Sequence, residues 1–170
     1  MKTYKARWST CLVVMSVLAT LLCLGITFGV PFLPAPKHHG EVGMWLRWLP
    51  LALVFACALF TVRGYTITPD AILVHRLLWA TRLSRAGLKS AEFVTGVMNR
   101  SLRTCGNGGF FSFTGFYWSK SLRSYRAYVT DLRRTVVLRY ERRTVVVSPD
   151  SPEDFVRELL EPLNFTNNHN

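Results

Sequence analysis

Residues 144–163, TVVVSPDSPEDFVRELLEPL, change from a strand pattern to a helix pattern within a few positions. The first four are β-branched, which is typical of a buried strand. From Phe155 onward the apolar residues recur at spacings of three and four, which predicts one apolar face on a helix. The sequence therefore predicts a last strand followed by a helix that packs on the sheet, with Phe155 and Leu159 buried together.

Capping signals mark the start of this helix. Ser151 can cap it, Pro152 fits the first helical position, and Asp154 occupies the third position, where a capping box places its acidic residue. Pro162 is expected to limit the helix, and residues 164–170 are expected to form a disordered tail.

Short strand-like segments lead up to this helix from residue 64. Pro69-Asp70 marks one turn, and Glu141-Arg142-Arg143 has the length of a hairpin loop. The segments are 64–68, 71–78, 80–83, 90–97, 125–130, 135–140 and 144–148. Such a series, closed by a single amphipathic helix, predicts an all-β barrel with a C-terminal capping α-helix.

A glycine-rich segment, residues 103–109 (RTCGNGG), precedes an aromatic cluster at 110–118. We expect a tight turn in which the glycines adopt positive φ. A phosphate cradle is the alternative. The segment fits neither a P-loop nor a dinucleotide fingerprint, because no Gly-Lys-Ser/Thr and no helix follow it.

Two apolar runs, residues 11–32 and 45–62, precede the strands. The first contains no charge, and the second contains only Arg47, which can snorkel from the end of its helix. Because about 20 apolar residues cross the hydrocarbon of a bilayer, we expect a two-helix transmembrane hairpin within an anchor of residues 1–62. A cleaved signal peptide is disfavoured, since its apolar region spans only about 7–15 residues.

The distribution of charge predicts the orientation of this hairpin. The chain has 21 Lys and Arg against 10 Asp and Glu. The segment before the first run is basic, the connecting loop is nearly neutral, and Arg63 follows the second run at once. By the positive-inside rule, we expect a multi-pass protein of the cell (inner) membrane with both termini in the cytoplasm.

Small residues occur four apart in both runs, at Gly25 and Gly29 and at Ala52 and Ala56. Such steps let two membrane helices approach closely. We favour packing of the hairpin against itself, with a homo-oligomer as the alternative.

Three motifs resemble a bacterial pleckstrin-homology (PH) domain family, of the membrane-anchored type with two N-terminal transmembrane helices. They are residues 65–70 (YTITPD), Arg103-x-x-Gly106-x-Gly108-Gly109 followed by Gly115, and the C-terminal stretch from Tyr128-Val129-Thr130-Asp131 to Phe155. The resemblance covers residue 63 to about residue 161. It implies a PH-like domain at residues 63–163 that binds or scaffolds, without a known ligand.

The basic residues after the anchor form the predicted binding face: Arg63, Arg76, Arg82, Arg85 and Lys89. The favoured partners are anionic phospholipid headgroups of the inner leaflet or a protein with an acidic face. Single-stranded nucleic acid, held by Arg100, Arg103, Arg123 and Arg126 among the aromatic residues, ranks behind them. A small-ligand sensor and a merely solvated basic surface are the remaining alternatives.

Catalytic sets are missing from the sequence pattern. No paired carboxylates, nucleophile–base arrangement or zinc-ligand spacing stands out, and Cys105 is the one cysteine after the apolar runs. We therefore expect no enzyme, no metal and no cofactor.

Overall fold

The computed structural model of the chain describes residues 2–29 and 47–167. These ranges contain strands and helices in the following order: β1 (Lys2–Lys5), α1 (Thr10–Gly29), α2 (Leu49–Leu59), β2 (Gly64–Ile67), β3 (Ala71–His75), β4 (Ala80–Ser84), β5 (Leu88–Phe93), β6 (Leu102–Phe110), β7 (Ser112–Ser119), β8 (Arg123–Val129), β9 (Val136–Tyr140), β10 (Thr144–Val147) and α3 (Pro152–Asn167).

The strands form two sheets, one with the order β1-β2-β3-β4 and the other with the order β5-β9-β10-β8-β7-β6. Strands β4 and β5 are joined by a short turn at Gly87, yet they lie in different sheets. No ladder connects the two sheets among the described strands. The prediction of a closed barrel is therefore wrong, and the structure is a two-sheet β-sandwich with a C-terminal helix.

The main core lies between the two sheets and α3. Phe155 and Leu159 are fully buried there, as predicted from the spacing of apolar residues. The Phe155 ring packs edge-on against Tyr4 and Tyr65, with ring centroids 5.1 and 6.2 Å apart. Arg85 donates to the Leu159 carbonyl at 2.9 Å, which ties the helix to the first sheet.

Helix α3 begins at Pro152, and the Phe155 N–H donates to the Ser151 carbonyl at 3.0 Å. Asp154 pairs with Arg157 on the same helix. The helix continues past Pro162 to Asn167, so it overlaps the segment predicted as a tail; residues 168–170 lie outside the described residues. A proline removes one backbone hydrogen bond, which is a local loss that a helix can survive.

The glycine-rich segment is a strand, which corrects the prediction of a turn. Residues 102–110 form β6 and pair with β7 in antiparallel register, with Gly106 opposite Gly115. The reversal of the chain falls instead at Phe111, which adopts a φ of 62°. Glycines resemble a turn signal in sequence, but here they permit a close approach of two strands.

Strand β1 is a feature that the sequence did not predict. It pairs with β2, and its Tyr4 lies opposite Tyr65 and is buried in the main core. Val62, at the end of the second apolar run, is buried in the same core. Residues from both ends of the predicted anchor therefore contribute to the folded domain.

Helix α1 has 20 residues and no charged side chain, so its length and composition suit a membrane span. Helix α2 has 11 residues and ends at Leu59, where the Phe60 and Thr61 N–H groups donate to Cys57 and Ala58 carbonyls. Within the described residues one helix, not two, reaches spanning length. The start of the predicted second span, residues 45–46, lies outside them.

The glycine step of α1 faces open space in the described part of the chain. A Cβ added at Gly25 or Gly29 would have no neighbour within 4 Å. The two apolar helices do contact each other, as the favoured packing of the hairpin against itself requires, but Gly25 and Gly29 do not form that contact among the described residues.

Candidate functional site

A cleft of about 510 Å³ opens between α2 and strands β6, β7 and β8. One wall is apolar and consists of α2 residues and the residue that follows the helix, including Leu53, Ala56 and Phe60. The other wall carries three arginines, Arg76, Arg103 and Arg126, and Arg76 also contacts Phe60 of the apolar wall. We call this site the arginine cleft.

Arg76 is the buried arginine of the cleft, with 8% of its surface exposed. Its guanidinium donates to the Thr81 hydroxyl at 3.3 Å and to the Phe60 carbonyl at 3.4 Å. It also lies 5.2–5.7 Å from the ring centroids of Phe60, Trp79 and Tyr128. Burial lowers the pKa of Arg76, yet a guanidinium remains charged at neutral pH.

Arg126 and Arg103 are exposed at the cleft. The Arg126 guanidinium lies 5.3 Å from the rings of both Phe116 and Tyr128, in a cation–π arrangement. The Arg103 side chain lies over Gly108, where an added Cβ would collide with its guanidinium. Gly108 thus provides the space that Arg103 occupies.

Gly106 and Gly115 form a cross-strand pair in the floor of the cleft. Their φ angles are +121° and +137°, and a Cβ at either position would collide with the backbone of the opposite strand. This close approach explains why the predicted motif contains glycine at both positions. Gly109, which has a φ of +103°, packs under the Phe113 ring instead.

The charge of the arginine cleft is uncompensated among the described residues. No carboxylate there lies within 4.0 Å of the three guanidiniums; the ion pairs are Lys2–Glu158, Lys89–Glu141, Arg134–Asp131 and Arg157–Asp154. The Tyr128 hydroxyl is buried and has no hydrogen-bond partner in the same part of the chain. Cations next to an apolar wall suit an anion that carries an apolar substituent.

A second, larger cleft of about 930 Å³ lies at the start of α1 and includes Arg7, Arg133 and Arg134. It also contains Asp131, whose carboxylate lies 3.9 Å from Arg134 Nε. This acidic group makes the second cleft less suited to an anion.

The structure distributes the predicted basic face over several places. Arg76 lies in the arginine cleft. Arg63 is exposed beside Ala58 and Leu77, at the end of the domain where α2 joins it. Arg82 is exposed on strand β4. The other two members are engaged elsewhere, Arg85 with the Thr68 and Leu159 carbonyls and Lys89 with Glu141.

The convergence of Arg76, Arg103 and Arg126 was missed from the sequence. Arg103 was selected as a motif residue, and Arg126 only within the nucleic-acid alternative. Their positions at the end of β3, in β6 and in β8 give no local pattern. The one available signal was the alternation of arginine with aromatic residues around β7 and β8.

A family model described as "Bacterial PH domain" matches residues 63–162. No curated protein and no solved structure matches the chain.

Proposed function

The chain belongs to the bacterial PH domain family, and from that premise we propose that it is a membrane-tethered, non-enzymatic binding module. Its ligand is an anionic phospholipid, whose headgroup occupies the arginine cleft. The observation that carries the proposal is the convergence of three guanidiniums beside the apolar wall of α2. No carboxylate among the described residues pairs with them.

The tether is helix α1. Its 20 residues extend about 30 Å at 1.5 Å per residue, which equals the hydrocarbon thickness of a bilayer. Its leucines Leu18, Leu21 and Leu22 are exposed on the surface of the protein, as they are on a lipid-facing helix. The multi-pass topology in the inner membrane, with both termini in the cytoplasm, belongs to this proposal and rests on the basic flanking segments.

The ligand class follows from the two walls of the arginine cleft. A phosphodiester accepts hydrogen bonds from guanidinium groups, and an acyl chain can lie along Leu53 and Ala56. The cleft volume is within the range of small-molecule sites, so it fits a headgroup and part of one chain. Neither a free anion nor an uncharged lipid would use both walls.

A protein partner is the second candidate, and a specific surface favours it. Leu102, Phe116 and Trp118 are exposed on strands β6 and β7, and Leu102 has 68% of its surface exposed. Leu102 lies opposite Trp118 in the register. Contiguous exposed apolar residues of this kind often mark protein interfaces.

The experiment compares two lipids on the full-length chain in a non-ionic detergent. Native mass spectrometry measures binding of short-chain phosphatidylglycerol and phosphatidylcholine. We expect a preference for phosphatidylglycerol that the double variant Arg103→Gln/Arg126→Gln weakens by about 30-fold, since each arginine contributes about 1 kcal/mol. The matched control is Arg133→Gln/Arg142→Gln, which removes two exposed charges outside the cleft.

Equal affinity for the two lipids, or an unchanged preference in the double variant, contradicts the proposal. Loss of the preference in both double variants would assign it to net charge and not to the cleft. In either case the apolar strip of Leu102, Phe116 and Trp118 becomes the better candidate surface.

A further inference from the structure

The turn between β3 and β4 exposes three large apolar residues in succession: Leu77, Leu78 and Trp79. Leu78 has 73% of its surface exposed. The turn lies at the end of the domain where α2 joins it. The Trp79 ring is 5.3 Å from the Phe60 ring, and Leu77 lines a small cavity with Ala58. Such a run in contact with water would be unfavourable.

The tip of the β6–β7 hairpin, Phe110 and Phe111, runs alongside α1. The Phe111 N–H donates to the Ser16 hydroxyl at 2.9 Å, and the Phe111 ring lies 6.1 Å from Trp8. Ser16 is roughly 9 Å along the helix axis from Thr10, at 1.5 Å per residue. The hairpin tip therefore lies beside the apolar body of α1 and not before its start.

Side chains bond three backbone polar groups of this tip, namely both groups of Phe110 and the Phe111 N–H. The Asn107 side chain accepts from the Phe110 N–H at 3.2 Å and donates to the Phe110 carbonyl. Ser16 accepts from the Phe111 N–H, and the Ser112 hydroxyl next to the tip donates to the Phe60 carbonyl at 3.3 Å, which holds the hairpin against the end of α2. In hydrocarbon each unsatisfied backbone group costs several kcal/mol, so these bonds lower the cost of placing the tip there.

We propose that the β3–β4 turn and the β6–β7 hairpin tip insert into the hydrocarbon of the leaflet nearest the domain. The domain is thereby seated on the membrane at three places, the helices and two apolar loops, with the arginine cleft held at headgroup level. This inference rests on the proposed membrane tether and goes beyond it, because a tethered domain need not touch the bilayer.

The experiment is site-directed spin labelling of the full chain in nanodiscs of phosphatidylglycerol and phosphatidylcholine. The four native cysteines are replaced by serine, and single cysteines are placed at Leu78, Phe110, Leu18 and Lys120. Leu18 is exposed in the middle of α1 and reports hydrocarbon; Lys120 is exposed in the β7–β8 turn and reports water. Power saturation compares access of oxygen with access of a water-soluble nickel chelate.

We expect labels at Leu78 and Phe110 to favour oxygen over the nickel chelate, as the label at Leu18 does, with the reverse at Lys120. If the labels at both tips favour the nickel chelate, as the label at Lys120 does, while the label at Leu18 favours oxygen, the insertion is overturned and the tether stands. Exclusion of both reagents at Phe110 shows a tip covered by protein and also overturns it. A water-like label at Leu18 refutes the tether itself, and the insertion with it.

Discussion

Arg76 is a charge buried inside this domain, and no carboxylate among the described residues pairs with it. Three aromatic faces, one hydroxyl and one carbonyl surround its guanidinium. The planar, weakly hydrated guanidinium suits such a site better than an ammonium group. Arg76 thus connects the residue after α2, the β3–β4 turn and the second sheet, which are the parts that build the arginine cleft.

Gly115 and Gly87 provide a matched pair of substitutions at positive φ. Gly115→Ala is expected to lower the free energy of unfolding by at least about 1–3 kcal/mol, because the new Cβ collides with the Cys105 carbonyl. Gly87→Ala is expected to cost about 1 kcal/mol, since its nearest neighbour would be 4.0 Å away. Urea unfolding of the full chain in detergent, followed by near-UV circular dichroism, measures both. Equal losses would contradict the close approach of β6 and β7.

Tyr65 makes the stability of the domain sensitive to alkaline pH. Burial raises its pKa to about 12, and its hydroxyl donates to the Tyr128 carbonyl at 2.5 Å. The unfolded chain loses this proton near pH 10, whereas the folded chain keeps it. The contribution of protonated Tyr65 to the free energy of unfolding is therefore complete below pH 10. It is lost as the pH rises from 10 to 12, at up to about 1.4 kcal/mol per pH unit.

The variant Tyr65→Phe tests this dependence. We expect a shallower fall in the free energy of unfolding between pH 10 and 12 than in the wild type. Tyr117, whose pKa burial also raises to about 12, keeps some of the slope. At neutral pH the variant should lose about 1–3 kcal/mol, because Tyr128 and Ser148 lose a buried partner. An unchanged slope would show that another group causes the alkaline loss.

At the scale of elements, helix α3 is the closure of the main core. Phe155→Ala is expected to lower the free energy of unfolding by about 3–5 kcal/mol, because the side chain is fully enclosed against Tyr4 and Tyr65. Arg157→Ala, on the exposed side of the same helix, should change it by no more than about 0.5 kcal/mol. Thermal unfolding of the full chain measures the loss of stability in each of the two variants. Similar stabilities would mean that α3 does not close the core.

Local patterns predicted the elements whose formation is local. The start of α3 at Pro152 and the burial of Phe155 follow from residues close together in sequence, although the Ser151 and Asp154 side chains form no cap hydrogen bond among the described residues. Strand β6 was mistaken for a turn because Gly106 is required by its partner Gly115 on the next strand, which the local pattern does not show. Strand β1 was missed because its partner Gly64–Ile67 follows the whole anchor. The arginine cleft was missed for the same reason, since its charges come from three distant segments.

For the whole molecule, the proposed topology predicts which positions are reached from outside the cell. A single cysteine at His39, in the loop between the apolar runs, should react with an impermeant maleimide on intact cells. One at Lys120, in the folded domain, should react only after the membrane is permeabilised. Labelling of Lys120 in intact cells would place the domain on the outer side. Labelling of neither position would refute the predicted exit of the connecting loop.

Strand β1 also imposes an order of events during biosynthesis. Its residues leave the ribosome before the two apolar helices, but the partner Gly64–Ile67 is made only after them. In the proposed topology, the segment before α1 must therefore stay unpaired on the side of the membrane where the domain emerges until β2 has been made. Any cut within α1 would separate Tyr4 from the core that it completes, and the unpaired β2 edge would be open to a strand from another copy.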